Sequence, residues 1–285
     1  MPQHPFNITF VVFPKELIAT FYALIGKGED LKSKICLLLW NCPQLLGNLF
    51  LTALGEERFV YNVRVVMVHH IIFDLDGTLL DTIDDICFAI NKALRHCGYS
   101  HQYDREGTKA LVGDGADMLL HRALREKGDD LQAFSELKPI YMEYYRIHQV
   151  ERAHPFSGLK ETLVLLKEKG VRLSCVTNKP DALAHTILDM HFGENFFDFI
   201  LGAKEGLHVK PDPTSTFACI EAVGVAKEEC LYVGDSHVDI ATGHNAGLPV
   251  ALCLWGYEVD YERIKGDAEY VLSSPNDLLS FAPLS

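Results

Sequence analysis

Downstream of residue 66, short apolar runs alternate with amphipathic stretches, and Gly or Pro marks most of the joints. Met67–Phe73, Val171–Thr177, Phe199–Gly202, Cys230–Gly234, Val250–Leu254 and Tyr270–Leu272 have the length and branched-aliphatic content of buried strands. Leu159–Lys169, Asp181–Met190, Thr214–Val223 and Ile240–Ala246 lie between them and read as helices. Strands and helices alternating in this way predict an α/β protein with a parallel, doubly wound, Rossmann-like sheet. One block breaks the alternation. Ile83, Ile86, Ile90 and Leu94 recur at helical spacing over Ile83–Cys97, and Gly98 ends that stretch. Gly107–Glu126 presents a second helical face (Met118, Leu119, Ala123), and Phe134–His148 a third. Residues 84–153 therefore read as an all-helical cap inserted into a core built from 67–83 and 154–285.

Residues 1–66 follow a different pattern. Their apolar stretches, Phe6–Ile25 and Ile35–Leu54, are interrupted by Pro14-Lys15-Glu16 and by Asn41, Pro43, Gln44 and Asn48. Neither is a clean membrane span, so no membrane association is expected. A charged leader with a small-residue cleavage site is missing as well, which argues against a secretory signal. The expectation is an extension upstream of a domain that begins near Met67, as from a start assigned too early, with a membrane-proximal anchor as the alternative reading.

Composition narrows the function classes. The chain of 285 residues is 48% hydrophobic and 23% charged, as in ordinary soluble proteins, and carries a net charge of −13. Such acidity, with no basic run, argues against a nucleic-acid partner. An acidic protein that handles an anionic substrate must concentrate positive charge locally, through a metal and a few lysines. The eight cysteines form no Cys-x-x-Cys pair and sit in apolar segments, which predicts buried free thiols and a cytoplasmic location. The histidines lack metal-ligand spacing, and His69-His70 reads as packing or surface. Nothing in the pattern sets an oligomeric state.

The candidate chemistry gathers just past strand ends. Asp74 and Asp76 close the first strand two residues apart, on one side of an extended backbone, and Gly77 allows a sharp exit. A close carboxylate pair can seat a hard cation and can divide into a nucleophile and an acid/base. Thr177-Asn178 offers small hydrogen-bonding side chains suited to phosphoryl oxygens. Lys210, in a loop fixed by Pro211 and Pro213, can neutralise a transferring phosphoryl group. Asp235 and Asp239 add two carboxylates after the Cys230–Gly234 strand. Each cluster has a bland alternative: an acidic turn, a helix cap, a surface lysine, charges in a first helical turn. Their shared position at carboxyl ends of strands, where open α/β sheets bind ligands, favours a site.

With Asp74-Leu75-Asp76-Gly77-Thr78, Val176-Thr177-Asn178, Lys210-Pro211 and Gly234-Asp235-Ser236 with Asp239, residues 67–285 resemble the haloacid dehalogenase (HAD) superfamily. The resemblance implies a Mg²⁺-dependent phosphohydrolase acting on a small-molecule phosphate ester, with a helical cap over the site. In the superfamily pattern Asp74 is the nucleophile and Asp76 the acid/base. Mg²⁺ is held by the Asp74 and Asp235 carboxylates and the Asp76 backbone carbonyl, with Asp239 orienting that end from behind. Thr177, Asn178 and Lys210 hold the phosphate. The second Asp argues against C–halogen and C–P cleavage. Val112-Gly113-Asp114-Gly115, Pro155-x-x-Gly158, Val176-Thr177-Asn178-Lys179-Pro180, Lys210-Pro211-Asp212-Pro213 and Trp255-Gly256-Tyr257 are most similar to the phosphoglycolate phosphatase family. That family often has Asn where this chain has Asp114.

In that light Gly113 and Gly115 are candidates for selecting the substrate. They let backbone amides approach a ligand, and the helix N-terminus behind them favours a carboxylate. Asp114 is expected to point outward or to cap that helix. The rival readings are a β-phosphoglucomutase-like sugar-phosphate mutase, a pyrophosphatase, and a catalytically silent HAD domain used for binding. Product analysis separates the first: a mutase returns an isomer, a hydrolase returns inorganic phosphate. Pyrophosphate offered beside phosphoglycolate tests the second, and the complete carboxylate set argues against the third.

Overall fold

The computed structural model describes residues 68–258 and 260–283, together with the backbone of 7–11 and 62–66. Strands β1 (Asn7–Val11) and β2 (Asn62–Val66) pair in parallel, with Asn7 opposite Asn62. They belong to a unit spanning residues 1–67, distinct from the compact unit of residues 68–283. The rest of the expectation for 1–66, including Ile35–Leu54, Cys36 and Cys42, lies outside the described residues.

The larger unit opens with β3 (His70–Phe73), a two-residue strand β4 (Leu80–Asp81), and then four helices: α1 (Ile83–His96), α2 (Arg105–Lys109), α3 (Gly115–Ala123) and α4 (Leu131–His148). After β5 (His154–Pro155) come α5 (Leu159–Glu168), β6 (Arg172–Pro180), α6 (Asp181–Phe192), β7 (Phe199–Ala203), α7 (Thr214–Val223), β8 (Cys230–Gly234) and α8 (His237–Ala246). The chain closes with β9 (Val250–Cys253), the short α9 (Tyr261–Ile264), β10 (Tyr270–Leu272) and a 3-10 segment at Pro275–Phe281. Six strands form one parallel sheet in the order β10-β9-β8-β3-β6-β7. Strand β3 lies inside it, with Phe73 opposite Cys175 on one side and Val233 on the other. Strands β3, β8 and β9 are buried along their whole length. Burial on both faces is why they read as continuous apolar runs and not as alternating ones.

Helices α1, α3 and α4 share a core that includes Ile86, Ile90, Leu94, Leu120, Leu137 and Tyr141 and is joined by Leu183 of α6. This is the inserted helical cap. The chain crosses between cap and sheet twice, and the antiparallel β4–β5 pair ties the crossings together, Leu80 opposite Pro155 and Asp81 opposite His154. Asp85, fully buried, accepts hydrogen bonds from the backbone N–H of Arg152 (2.9 Å) and of Ala153 (2.8 Å) and from the Arg152 guanidinium (3.0 Å).

Several elements differ from expectation, each for a local reason. The first strand begins at His70, three residues later than Met67. Strand β6 continues past Thr177 to Pro180, with a register shift against β7 between Val176 and Pro180. Helix α8 starts at His237 because Ser236 caps it in a capping box with Asp239, a Ser-x-x-acid signal present in the sequence. The helical face expected within Gly107–Glu126, after Val112-Gly113-Asp114-Gly115, forms as α3, with the short α2 ahead of that loop and a 3-10 turn at Arg125–Lys127 behind the helix. Helix α4 begins at Leu131, because the Asp130 carboxylate accepts from the N–H groups of Gln132 and Ala133, and it runs on through Pro139.

The two histidines at the start of β3 divide as packing and surface. His70 is buried against Ser174 Oγ (2.8 Å), and burial pushes its pKa down to about 4, while His69 faces Glu229 at 3.5 Å. Cys87, Cys97, Cys175, Cys219, Cys230 and Cys253 are free thiols. No described helix is long and apolar enough to cross a membrane.

Candidate active site

Four loops at the carboxyl ends of β3, β6 and β8 and between β7 and α7 carry the polar residues. The first is wound tightly: the N–H groups of Thr78, Leu79 and Leu80 all donate to the Leu75 carbonyl, at 2.9–3.2 Å. Gly77 is required in it twice over. Its φ is +86°, and a Cβ there would stand 2.4 Å from Asp235 Oδ2. The loop therefore packs backbone directly on the second acidic cluster.

Asp74 and Asp76 each face a lysine buried in the protein. Lys210 Nζ lies 2.8 Å from Asp74 Oδ1 and 2.7 Å from Asp239 Oδ1, with 2% of its side chain exposed. Lys179 Nζ lies 2.9 Å from Asp76 Oδ1, its side chain 1% exposed, and it also donates to the Tyr145 hydroxyl of α4. The Thr82 hydroxyl donates to the same Asp76 oxygen, Oδ1, at 2.7 Å. Burial pushes Asp74 up to about 6, against the pull of Lys210 and with help from the Asp239 charge. On Lys210 burial works against the charge, but Asp239 and Asp74 outweigh it and hold the ammonium well above the ordinary lysine range.

Asp235 and Asp239 are not equivalent. One oxygen of Asp239 takes Lys210; the other accepts from the N–H groups of Asp235 (3.2 Å) and Ser236 (3.1 Å) and from Ser236 Oγ (2.7 Å). Both of its oxygens are engaged by the helix start and the lysine. Asp235 accepts from Thr78 Oγ1 (3.0 Å) and the Tyr257 N–H (2.7 Å). Burial, then the charges of Asp239 and Asp74, push its carboxyl well above the carboxylate range. Asp74, Asp235 and Asp239 each offer an oxygen within 4.8 Å of the others. Buried carboxylates so close, with one lysine among them, fit a hard divalent cation, which prefers oxygen donors and relieves their repulsion.

Thr177 and Asn178 sit in the irregular part of β6. Asn178 clasps the Lys210 backbone from both ends: Lys210 N–H donates to Oδ1 at 2.8 Å, and Nδ2 donates to the Lys210 carbonyl at 3.2 Å. Its amide also reaches the Gly113 carbonyl of the cap, at 3.4 Å. The side chain thus sets the position of Lys210, a role that residue type alone did not suggest. Lys179 and Tyr145 were not singled out from sequence. Lys179 follows Asn178 directly and could have been read as a second cation, but the pairing with Tyr145 joins residues 34 apart.

A cavity of about 240 Å³ is lined by Asp74, Asp76 and Asp235 on the sheet side and by Val112, Gly113 and Asp114 on the cap side. Gly115 adjoins it, where a Cβ would lie 3.5 Å from the Asn178 carbonyl. Asp114 departs from expectation. It makes no side-chain cap on α3, and it does not turn away from the cavity; its carboxylate is paired with Arg122.

The model for the family described as haloacid dehalogenase-like hydrolase matches residues 71–253. Phosphoglycolate phosphatase of Aquifex aeolicus is 36% identical over 213 residues, covering 73% of this chain and 94% of that protein. Phosphoglycolate phosphatase of Vibrio parahaemolyticus is 32% identical over 222 residues, covering 75% and 96%. Among solved structures, a predicted phosphoglycolate phosphatase from Haemophilus somnus superposes with a TM-score of 0.69 at 28% identity, covering 74% of this chain and 96% of that one.

Proposed function

The chain belongs to the haloacid dehalogenase-like hydrolases and is a phosphoric monoester hydrolase, and within that class we propose that it hydrolyses 2-phosphoglycolate to glycolate and phosphate with Mg²⁺ as cofactor. The observation that carries the chemistry is that Asp74 and Asp76 line one small cavity and are each paired with a different buried lysine. The substrate is suggested by relatives that bear its name and by the size of that cavity.

An oxygen of Asp74 attacks phosphorus as the bond from phosphorus to the glycolate oxygen breaks, leaving an aspartyl-phosphate. Asp76, held by Thr82 and Lys179, acts as the general acid that gives a proton to the departing alkoxide. Asp76 then takes a proton from water, whose oxygen attacks phosphorus and releases Asp74 and inorganic phosphate. Lys210 and the Thr177 hydroxyl stabilise the phosphoryl oxygens as charge shifts, and Asn178 keeps Lys210 in place. Mg²⁺ held by the carboxylates of Asp74 and Asp235 and the Asp76 carbonyl would supply the positive charge that lets a phosphate dianion approach a carboxylate. Asp239 supports this end by holding Lys210 and the start of α8.

A steady-state screen of phosphate esters with Mg²⁺ tests the proposal. Phosphoglycolate should give the highest kcat/KM and release one phosphate per glycolate. Conversion of a sugar phosphate to its isomer without phosphate release would make the protein a mutase, and preference for pyrophosphate would make it a pyrophosphatase.

A further inference from the structure

The cavity that holds Asp74 and Asp76 also contains a cation from the cap. Arg122, near the end of α3, lines the cavity together with Asp114. Helical side chains lean toward the N-terminus, so from this position the arginine reaches back over its own helix to the loop that precedes it. There its guanidinium donates to the Leu111 carbonyl at 3.0 Å and to the Asp114 carboxylate. Two acceptors fix its plane, and its five N–H groups leave donors for a third. Its side chain is about one-third exposed (34%), in contact with solvent and yet part of the wall.

We propose that Arg122, held beside Asp114, recognises the carboxylate at the end of the substrate opposite the phosphate, and that Asp114 biases this subsite toward a singly charged group over a second phosphate. The inference rests on the phosphoglycolate reading and names the residue that would enforce it. Charge placement leads there. The sheet side of the cavity presents Asp74, Asp76 and Asp235, which repel a second anionic group, and the two buried lysines are committed to those carboxylates and to Asp239. Lys109 and Arg263 line the cavity as well, but Lys109 is paired at 2.9 Å with Glu106, which is not part of the wall, and Arg263 belongs to α9 and not to the cap. Arg122 has its partner within the wall, so a ligand meets the guanidinium and the carboxylate together. A planar guanidinium binds a carboxylate through two parallel hydrogen bonds. Asp114 already cancels one unit of charge there, so a carboxylate leaves the subsite with one net negative charge and a phosphate dianion with two. The loop glycines expected to select the substrate then act by keeping the wall thin, and the charged contact comes from Arg122.

The test compares phosphoglycolate with 2-hydroxyethyl phosphate, its neutral analogue, and with ethylene glycol bisphosphate, on the full chain with Mg²⁺. The wild type should prefer phosphoglycolate. Arg122→Gln should lower the kcat/KM ratio of phosphoglycolate to the neutral ester roughly 10- to 100-fold, chiefly through KM for phosphoglycolate, the range expected for losing hydrogen bonds to a charged group. Arg122→Lys should restore part of the ratio, and Asp114→Asn should raise the bisphosphate relative to phosphoglycolate. If the wild type prefers phosphoglycolate and Arg122→Gln keeps that preference, Arg122 is not the reader, whatever its effect on total turnover. An unchanged bisphosphate ratio in Asp114→Asn would overturn the bias assigned to that residue. Should Arg122→Gln fail to fold, judged by its melting temperature, the Arg122→Lys ratio decides, because a retained wild-type preference in a variant that cannot bind a carboxylate bidentately overturns the proposal. A wild type without preference for phosphoglycolate over the neutral ester rejects the substrate reading itself, and that arm involves no variant.

Discussion

Asp74 combines two demands that conflict: an anion strong enough to attack phosphorus, and a largely buried carboxyl. Burial has pushed its carboxyl up to about 6. With a raised pKa, the anion is present above that value and is lost as pH falls through it. At subsaturating Mg²⁺, kcat/KM should therefore show an acid limb near pH 6. More Mg²⁺ should move the limb to lower pH, because a cation on Asp74 and Asp235 favours the ionised form. A limb fixed in pH across metal concentrations would show that the cation does not touch Asp74. Asp74→Asn should abolish turnover while the melting temperature stays near wild type, since the amide is nearly isosteric but cannot be the anionic nucleophile. Turnover within a few-fold of wild type would sink the assignment. Chelation by EDTA should remove activity, and added Mg²⁺ should restore it. Asp74, Asp76, Lys210 and Asp235 were legible as single residues because their types are rare together at strand ends. Asn178 was not legible in the same way. Its polar type suited a phosphate, but its folded partners are the Lys210 backbone and the cap.

Among the elements, the joint between cap and sheet rests on a few contacts. The β4–β5 pair is two residues long, and the Asp85 carboxylate gathers three donors from Arg152 and Ala153 across it. Asp85→Ala would strand buried N–H groups, at a cost of about 2–4 kcal/mol. A urea melt should therefore show a lower midpoint, and an unchanged midpoint would mean that water replaces the carboxylate at the joint. Local pattern foretold most elements but placed their ends less well. Capping decided the starts of α4 and α8, and both signals, Asp130 and Ser236 with Asp239, stand in the sequence. The break between α2 and α3 is different. The Val112-Gly113-Asp114-Gly115 loop ahead of α3 stands in the sequence, but its packing against Asn178 does not.

For the whole molecule, residues 68–283 form a compact unit that contains every site residue. A chain started at Met67 should keep the melting temperature of that unit and full phosphatase activity; insoluble or inactive protein would make 1–66 a structural part of the domain. The sequence by itself determined the α/β class, the inserted helical block and the four polar clusters. These follow from periodicity, from Gly and Pro at the joints and from residue type, all of which are local. Tertiary structure alone decided the strand order β10-β9-β8-β3-β6-β7, which brings the ends of β3, β6 and β8 side by side. It also decided which cation faces which carboxylate: Lys179 reaches Asp76 across 103 residues, and Lys210 reaches Asp239 across 29. Such pairings depend on how the sheet is wound and on where burial makes an unpaired charge costly, and neither is encoded in the spacing of residues along the chain.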